Sequence, residues 1–282
     1  SPVKVLGEPA APGAVSASAM RKRRLTRARK TRLWAAAVLY DRAGLFHKSH
    51  WMVRHALRGY ARKAPRGANR ARWRISFPQG YGHLVTPHAK RHGLPTALVW
   101  GLMREESAFN PRLVSRANAV GLMQLLRSTA RRFRGRDRRA ITMTTLKRPA
   151  RNVPIGTRYL GWLLRLFQGH TALAVASYNA GETKVFSWVQ ARGHLPTDHF
   201  VETIPFRETR RYVKRVLGSA FAYAVLADEP NPVLPVAAVI PPALVVKSRS
   251  WQKRARRWVR QRRKAKHRAA KKRRRKTRRK RR

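Results

Sequence analysis

Apolar residues recur at helical spacing over one long stretch, from about Trp73 to Leu226, and that stretch decides what the chain can fold into. Outside it lie Pro-rich stretches and runs of Lys and Arg. The chain holds 66 of them against 11 Asp and Glu, a net charge of +55, and segments that basic repel themselves rather than pack. A stretch of about 150 residues is long enough to bury a core. "LPTALVWGLM" (94–103) predicts a helix with Pro95 in its first turn, where a missing N–H costs nothing. "VPIGTRYLGWLLRLF" (153–167) and "HTALAVASYNAG" (170–181) predict two more, the second stopped by Gly181, and "RETRRYVKRVLGSAFAYAVL" (207–226) a long last one. Strand signals are nearly absent, so the expected fold is all-α.

The flanks read differently. Residues 1–30 are expected to be a flexible basic segment, rich in Ala, Pro and Ser over 1–20. Residues 31–72 are expected to hold two short helices, joined near Gly44 or His47, and then a Pro/Gly linker in "APRGANRARW" (64–73). The main domain is placed at 73–228. "EPNPVLPVAAVIPPALVV" (229–246) holds five prolines and reads as a semi-rigid linker without helix. Residues 247–282 contain no acid and should stay disordered until they meet an anion.

The absence of cysteine removes disulfides, thiolate nucleophiles and Cys-ligated zinc. No apolar run approaches the roughly 20 residues that span a bilayer. "RKTRLWAAAVLY" (29–40) mimics parts of a signal peptide, but its apolar core is short and Asp41-Arg42 follows it. Because the numbering starts at Ser1 without Met, an export signal is expected upstream if the protein is exported.

Two of the scarce acids are adjacent in "MREESAFN" (103–110). Wound at 100° per residue, Leu98, Val99, Leu102, Met103 and Phe109 define one apolar face of residues 94–109. Glu106 falls about 20° from the centre of that face and Glu105 about 80° off, at its edge, while Arg104 points to solvent. A carboxyl facing apolar surface has its charged form disfavoured, the state a general acid needs near neutral pH. Phase makes Glu106 a candidate acid; the plain alternative is an ion pair with one of the many arginines. Glu105 is expected to look outward or sideways and to form a salt bridge.

Other constellations are weaker. His88 and His92 stand at i, i+4 with His83 nearby, but metal ligation at that spacing needs further ligands and usually a carboxylate in the motif. Trp73, Trp100, Trp162 and Trp188 at helical spacing read as core rather than as sugar platforms. No phosphate loop, Ser-His-Asp set or dinucleotide fingerprint stands out.

Four segments occur in order: "EESAFNPRLVSRANAVGLMQL" (105–125), "NVPIGTRYLGWLL" (152–164), "SYNAG" (177–181) and "ETIPFRETRRYVKRVL" (202–217). Together they resemble the catalytic domain of the soluble lytic transglycosylases, the SLT or goose-lysozyme-like family that cleaves peptidoglycan. The resemblance covers residues 73–226, and the helices of 31–64 resemble the last turns of the α-superhelical region that precedes the domain in larger members. It implies that Glu106, directly before Ser107, is the catalytic glutamate and that Ser115 donates a hydrogen bond to its carboxyl. Gln124 and, in the "YNAG" segment, Tyr178 with Asn179 would line the sugar cleft. Glu202 and Glu208 match the acidic positions near substrate, and the resemblance leaves open which of them contacts it. The chain departs from the family's commoner "GLMQLMP" at Leu126 and Arg127, which bears on fine specificity.

The resemblance further implies a single-acid reaction without metal or nucleotide cofactor. Glu106 would protonate the oxygen joining MurNAc to GlcNAc and then take the proton from the C6 hydroxyl, leaving 1,6-anhydro-MurNAc. The expected substrate is peptidoglycan glycan strands, the expected place the periplasm or cell envelope, and the expected state a monomer. The tail would hold anionic envelope polymers or nucleic acid by charge, with Trp251 and Trp258 offering stacking or interface contacts. Two rival readings remain: a basic nucleic-acid-binding protein with a vestigial enzyme fold, and a hydrolytic muramidase.

Overall fold

A computed structural model of the chain describes residues 26–227, 236–248 and 250–251. Among them the architecture is helical, with three isolated β-bridges and no strand. A basic helix α1 (Arg27–Arg42) is N-capped by the Thr26 side chain and pairs with α2 (Phe46–Ala56). Ala37, Val53 and Leu57 form their small apolar seam, flanked by Trp34, Tyr60 and Ile75. A 3-10 turn (Arg58–Arg62) leads to α3 (Ala68–Ser76), which opens at Gly67 with φ 49°.

Two expected boundaries move here. The flexible N-terminal segment was placed at 1–30, yet α1 begins at Arg27; residues 1–25 lie outside the described ones. The linker expected over 64–73 is helical from Ala68 onward. The reason is Trp73, which stacks on Phe77 with ring centroids 5.5 Å apart and meets Tyr60 edge-on at 5.3 Å, giving these residues an apolar anchor.

The main core gathers the remaining helices: α4 (Gly82–Arg91), α5 (Thr96–Ser107), α6 (Arg127–Phe133), α7 (Met143–Leu146), α8 (Pro149–Leu166), α9 (Thr171–Ala180), α10 (Glu182–Arg192), α11 (Thr197–Glu202) and α12 (Arg207–Leu226). α5 is the central rod, buried on every side from Ala97 to Met103. Pro95 is its N-cap rather than a residue of its first turn. Its closest neighbour is α12: a Cβ at Gly101 would lie 2.7 Å from the backbone nitrogen of Ala220, so the two helices cross in near-backbone contact. That crossing sets the last turn of α5 beside the first half of α12.

The helix assumed through Phe109 ends two residues earlier. Ala108 and Phe109 both adopt positive φ (48° and 63°), which turns the chain sharply and drives Phe109 fully into the core. Left-handed conformations at non-glycine residues are strained and cluster near functional sites.

The Pro-rich segment 229–246 also differs from the expectation of a linker without helix. Residues 242–248 are helical, with Pro242 at the first helical position, where its fixed φ favours helix initiation. Ile240 and Leu244 are buried in the main core, and Thr197 binds the strap by donating N–H to Ala238 O (2.8 Å) and its hydroxyl to Ala237 O (2.6 Å). Lys247, expected to begin a disordered tail, donates Nζ to Leu166 O at the end of α8 (2.9 Å), and Trp251 packs on Phe186. Residues 228–235 and 252–282, with Trp258 and most of the basic run, lie outside the described residues.

Candidate active site

The last turn of α5 presents two carboxylates into two different environments. Glu106 is partly buried against α12, where the Tyr212 hydroxyl donates to its Oε1 at 2.5 Å. Burial pushes its carboxyl up from 4.5 to about 8, and the negative charges of Glu208 and Glu105 push the same way. The Tyr212 bond and the charge of Arg215 oppose them. Burial also holds the phenols of Tyr212 and Tyr178 well above their ordinary range, so both stay neutral hydroxyl donors. Glu106 is therefore a neutral acid at pH 7, suited to giving a proton and able to take one back.

Glu105 faces the other way, although not to solvent: its side chain is only 3% exposed. Arg104 Nη1 lies 2.7 Å from Oε1, Ser219 Oγ donates to Oε1 at 2.9 Å, Arg215 Nε donates to Oε2 at 3.1 Å, and Arg54 Nη2 stands 3.6 Å from Oε2. The expected salt bridge is present. Of the expected directions, outward or sideways, the outward one is not found, because arginines from α2, α5 and α12 close over the carboxylate. Arg104 likewise turns inward instead of to solvent: its guanidinium lies 4.3 Å over the Phe77 ring and donates to Ser219 Oγ.

A loop from Val114 to Leu125 runs beside this turn and is fastened from several directions. Ser107 Oγ donates to Leu122 O (2.8 Å), which explains why a serine follows Glu106. Buried Asn152 of α8 accepts from Met123 N–H and donates to Val120 O and Leu146 O. A Cβ at Gly121 (φ 81°) would meet the Asn152 amide at 2.4 Å, so glycine is required there. Tyr178 of α9 donates its hydroxyl to Met123 O (2.8 Å) and rests its ring on Tyr159. Gln124, at φ 43°, donates Nε2 to Gly121 O within the loop and to Leu113 O at its entry.

Of the residues singled out from sequence, the structure brings Tyr178 and Glu208 each into electrostatic range of Glu106. It also ties Gln124 to the same loop that Tyr178 holds. Asn179 is exposed and its Oδ1 accepts from Thr209 of α12 (2.6 Å). Ser115 does not supply the bond expected on Glu106: its Oγ accepts from Ala119 N–H within its own turn, and the bond on Glu106 comes from Tyr212. Glu202 is exposed at the end of α11 and paired with Lys214 at 2.8 Å. Of the two acids left open, Glu208 is the one whose charge acts on Glu106.

Tyr212 was missed by the sequence reading, and so was the arginine set around Glu105. A signal existed: Glu208, Tyr212, Arg215 and Ser219 recur at i, i+4, i+7 and i+11, one stripe of α12. The four tryptophans divide. Trp100 and Trp188 are buried, whereas Trp73 and Trp162 are half-buried, the latter with Arg132 stacked over it at 4.4 Å. Among the described residues no three His, Cys, Asp or Glu side chains group as metal ligands. No described helix is long and apolar enough to cross a membrane.

A family model described as the transglycosylase SLT domain matches residues 83–201. The putative soluble lytic murein transglycosylase of Haemophilus influenzae is 35% identical over 160 residues, 56% of this chain and 27% of that protein. The soluble lytic murein transglycosylase of Salmonella typhimurium is 37% identical over 146 residues, 50% of this chain and 22% of that protein. Among solved structures, a lytic transglycosylase Slt from Pseudomonas aeruginosa, an inactive glutamate-to-glutamine mutant, matches with a TM-score of 0.63 at 30% identity. That match covers 76% of this chain and 32% of that one. The 70 kDa soluble lytic transglycosylase of Escherichia coli matches with a TM-score of 0.64 at 25% identity, over 78% of this chain and 34% of that one. The chain thus spans between 22% and 34% of the length of these relatives. Its all-helical body is thus similar to these lytic transglycosylases, and residues 83–201, under half of the chain, match the transglycosylase SLT domain.

Proposed function

We propose that this protein is a lytic transglycosylase that cleaves the β-1,4 bond between MurNAc and GlcNAc in peptidoglycan. The observation that carries the reading is Glu106, a carboxyl held protonated to about pH 8 beside Tyr212 inside the SLT domain. Glu106 gives its proton to the glycosidic oxygen as the C1–O bond breaks, and the N-acetyl group of the same sugar supports the positive charge at C1. The carboxylate left behind, steadied by the Tyr212 hydroxyl, takes the proton of the C6 hydroxyl while O6 bonds to C1. The product is a 1,6-anhydro-MurNAc end; Glu106 returns to its starting form and no water enters.

A two-carboxylate glycosidase requires a second acid free to act as base or nucleophile. Glu105 does not fit that part, since arginines and Ser219 occupy both of its oxygens. Glu208 is exposed and acts on Glu106 through its charge, which suits a substrate-positioning role better. Tyr178, Asn179 and Gln124 would border the bound sugars, with Ser115 supporting the loop and Glu202 farther out. The substrate places the protein in the periplasm or envelope, and the basic run of 247–282 would hold it to anionic polymers there.

Digestion of purified peptidoglycan with mass analysis of the fragments tests the reading. Anhydro-ended muropeptides are expected. Reducing ends would make it a hydrolytic muramidase, with Glu208 the first residue to suspect as water-activating base. No release, together with salt-sensitive nucleic-acid binding, would favour the binding-protein reading.

A further inference from the structure

The charge balance around α5 has a feature that acid catalysis by Glu106 does not explain. In a chain with 11 acids, one of them sits at 3% exposure directly beside the reacting carboxyl, encircled by Arg54, Arg104 and Arg215 from three helices. We propose that Glu105 is a positioning residue that acts as a decoy: it holds Arg215 by its Nε and so keeps that cation from pairing with Glu106. The inference rests on Glu106 being the general acid.

The geometry is specific. Arg215 lies three residues after Tyr212 on α12, on the same stripe, so its guanidinium and the Tyr212 hydroxyl reach the same turn of α5. Glu105 Oε2 engages Arg215 Nε at 3.1 Å, and Glu105 Oε1 is fixed in turn by Arg104 and Ser219. Arg215 is 47% exposed, and among the described residues Glu105 is the carboxylate that its guanidinium holds. Released, it would find in Glu106 the neighbouring carboxyl, and an ion pair there would strip the acid of its proton. Arg54 contributes differently: it reaches from α2 and joins the N-terminal helix pair to the same carboxylate.

Among the described residues, the titratable groups that act most on Glu106 are Glu105 on its own helix, Glu208, Tyr212 and Arg215 on α12, Tyr178 on α9 and Tyr159 on α8. The three phenols are held neutral by burial, and Glu208 is exposed and screened. Arg215 is thus the one cation among them, and Glu105 its partner.

The test is a carbon-13 NMR titration of the Glu106 carboxyl in the full chain, which reads protonation whether or not the protein cleaves peptidoglycan. Glu105→Gln should lower the midpoint by about one pH unit, the size of one nearby charge at an effective dielectric near 20. Adding Arg215→Met to Glu105→Gln should bring it back to within a few tenths of the wild type. In peptidoglycan digestion the alkaline limb of the pH profile should move in parallel, with the rate at pH 5 nearly unchanged. An unmoved midpoint in Glu105→Gln, or a lowered one that Arg215→Met does not restore, overturns the proposal. If Glu105→Gln does not fold, Arg215→Met alone must still raise the midpoint, and a fall or no change overturns it. A wild-type protein that shows these shifts yet releases no muropeptides would instead overturn the enzymatic reading.

Discussion

The two sides of the last turn of α5 hold neighbouring glutamates in opposite states. Glu105 meets guanidinium groups and a hydroxyl, and every oxygen is paired as an anion. Glu106 meets tyrosines and apolar surface, and its carboxyl is pushed up to about 8. One residue of helix phase separates a paired carboxylate from a protonated carboxyl. What differs is the composition of the facing stripe of α12, which offers Arg215 and Ser219 to one and Tyr212 to the other. A buried carboxylate is stable only when paired, and an unpaired one takes a proton instead.

The largest expected break in this contrast is Glu106→Gln, which should lower muropeptide release by about 10³-fold, within the range for general acid–base catalysis. Circular dichroism should show the fold retained, and a residual activity near that of wild type would remove Glu106 from its role. The same substitution should raise stability at high pH. The folded protein keeps a proton on Glu106 that the unfolded chain gives up above about 4.5, so burying this group costs nothing below that pH. The cost grows as pH rises and is complete above about 8, where Glu106→Gln should gain roughly 2–4 kcal/mol after allowance for its partial exposure. Thermal melts at pH 5 and pH 9 measure the difference, and an equal effect at both would contradict the raised carboxyl.

Gly101→Leu attacks the crossing that creates the contrast. Added atoms would collide with Ala220, costing about 1–3 kcal/mol in stability and parting Glu106 from Tyr212. Urea unfolding together with the activity assay reads both losses. Tyr212→Phe should leave stability almost unchanged while lowering turnover roughly tenfold, the worth of a hydrogen bond to a charged group. Its Glu106 midpoint should rise, because the lost bond favoured the carboxylate. Smallest is Glu208→Gln, which should move that midpoint down by only a few tenths, since an exposed charge is screened.

Much of the fold was legible because the apolar period is strong where the core is. The long final helix was placed at 207–226, as found, and Gly181 closes α9 with φ 85°. Boundaries failed where a contact distant in sequence overrode local composition. Trp73 turned a Pro/Gly stretch helical from Ala68, and the seat of Leu244 in the main core accompanies a helix that starts at Pro242. At the site, phase alone singled out Glu106, because burial of one face is a property of a single helix. Ser115, Tyr212 and the direction of Glu105 were not legible in that way. Each depends on what another segment places opposite it.

By itself, the sequence determined the helical class and the order of its four motifs, since these follow from spacing along one chain. It also determined that one glutamate of "MREESAFN" faces inward. Only the tertiary structure decided what each glutamate meets. The near-backbone crossing of Gly101 and Ala220 sets the register of α12 against α5. That register brings the Tyr212 hydroxyl to Glu106 and Arg215 to Glu105, and electrostatics then assigns the proton to one carboxyl and the charge to the other.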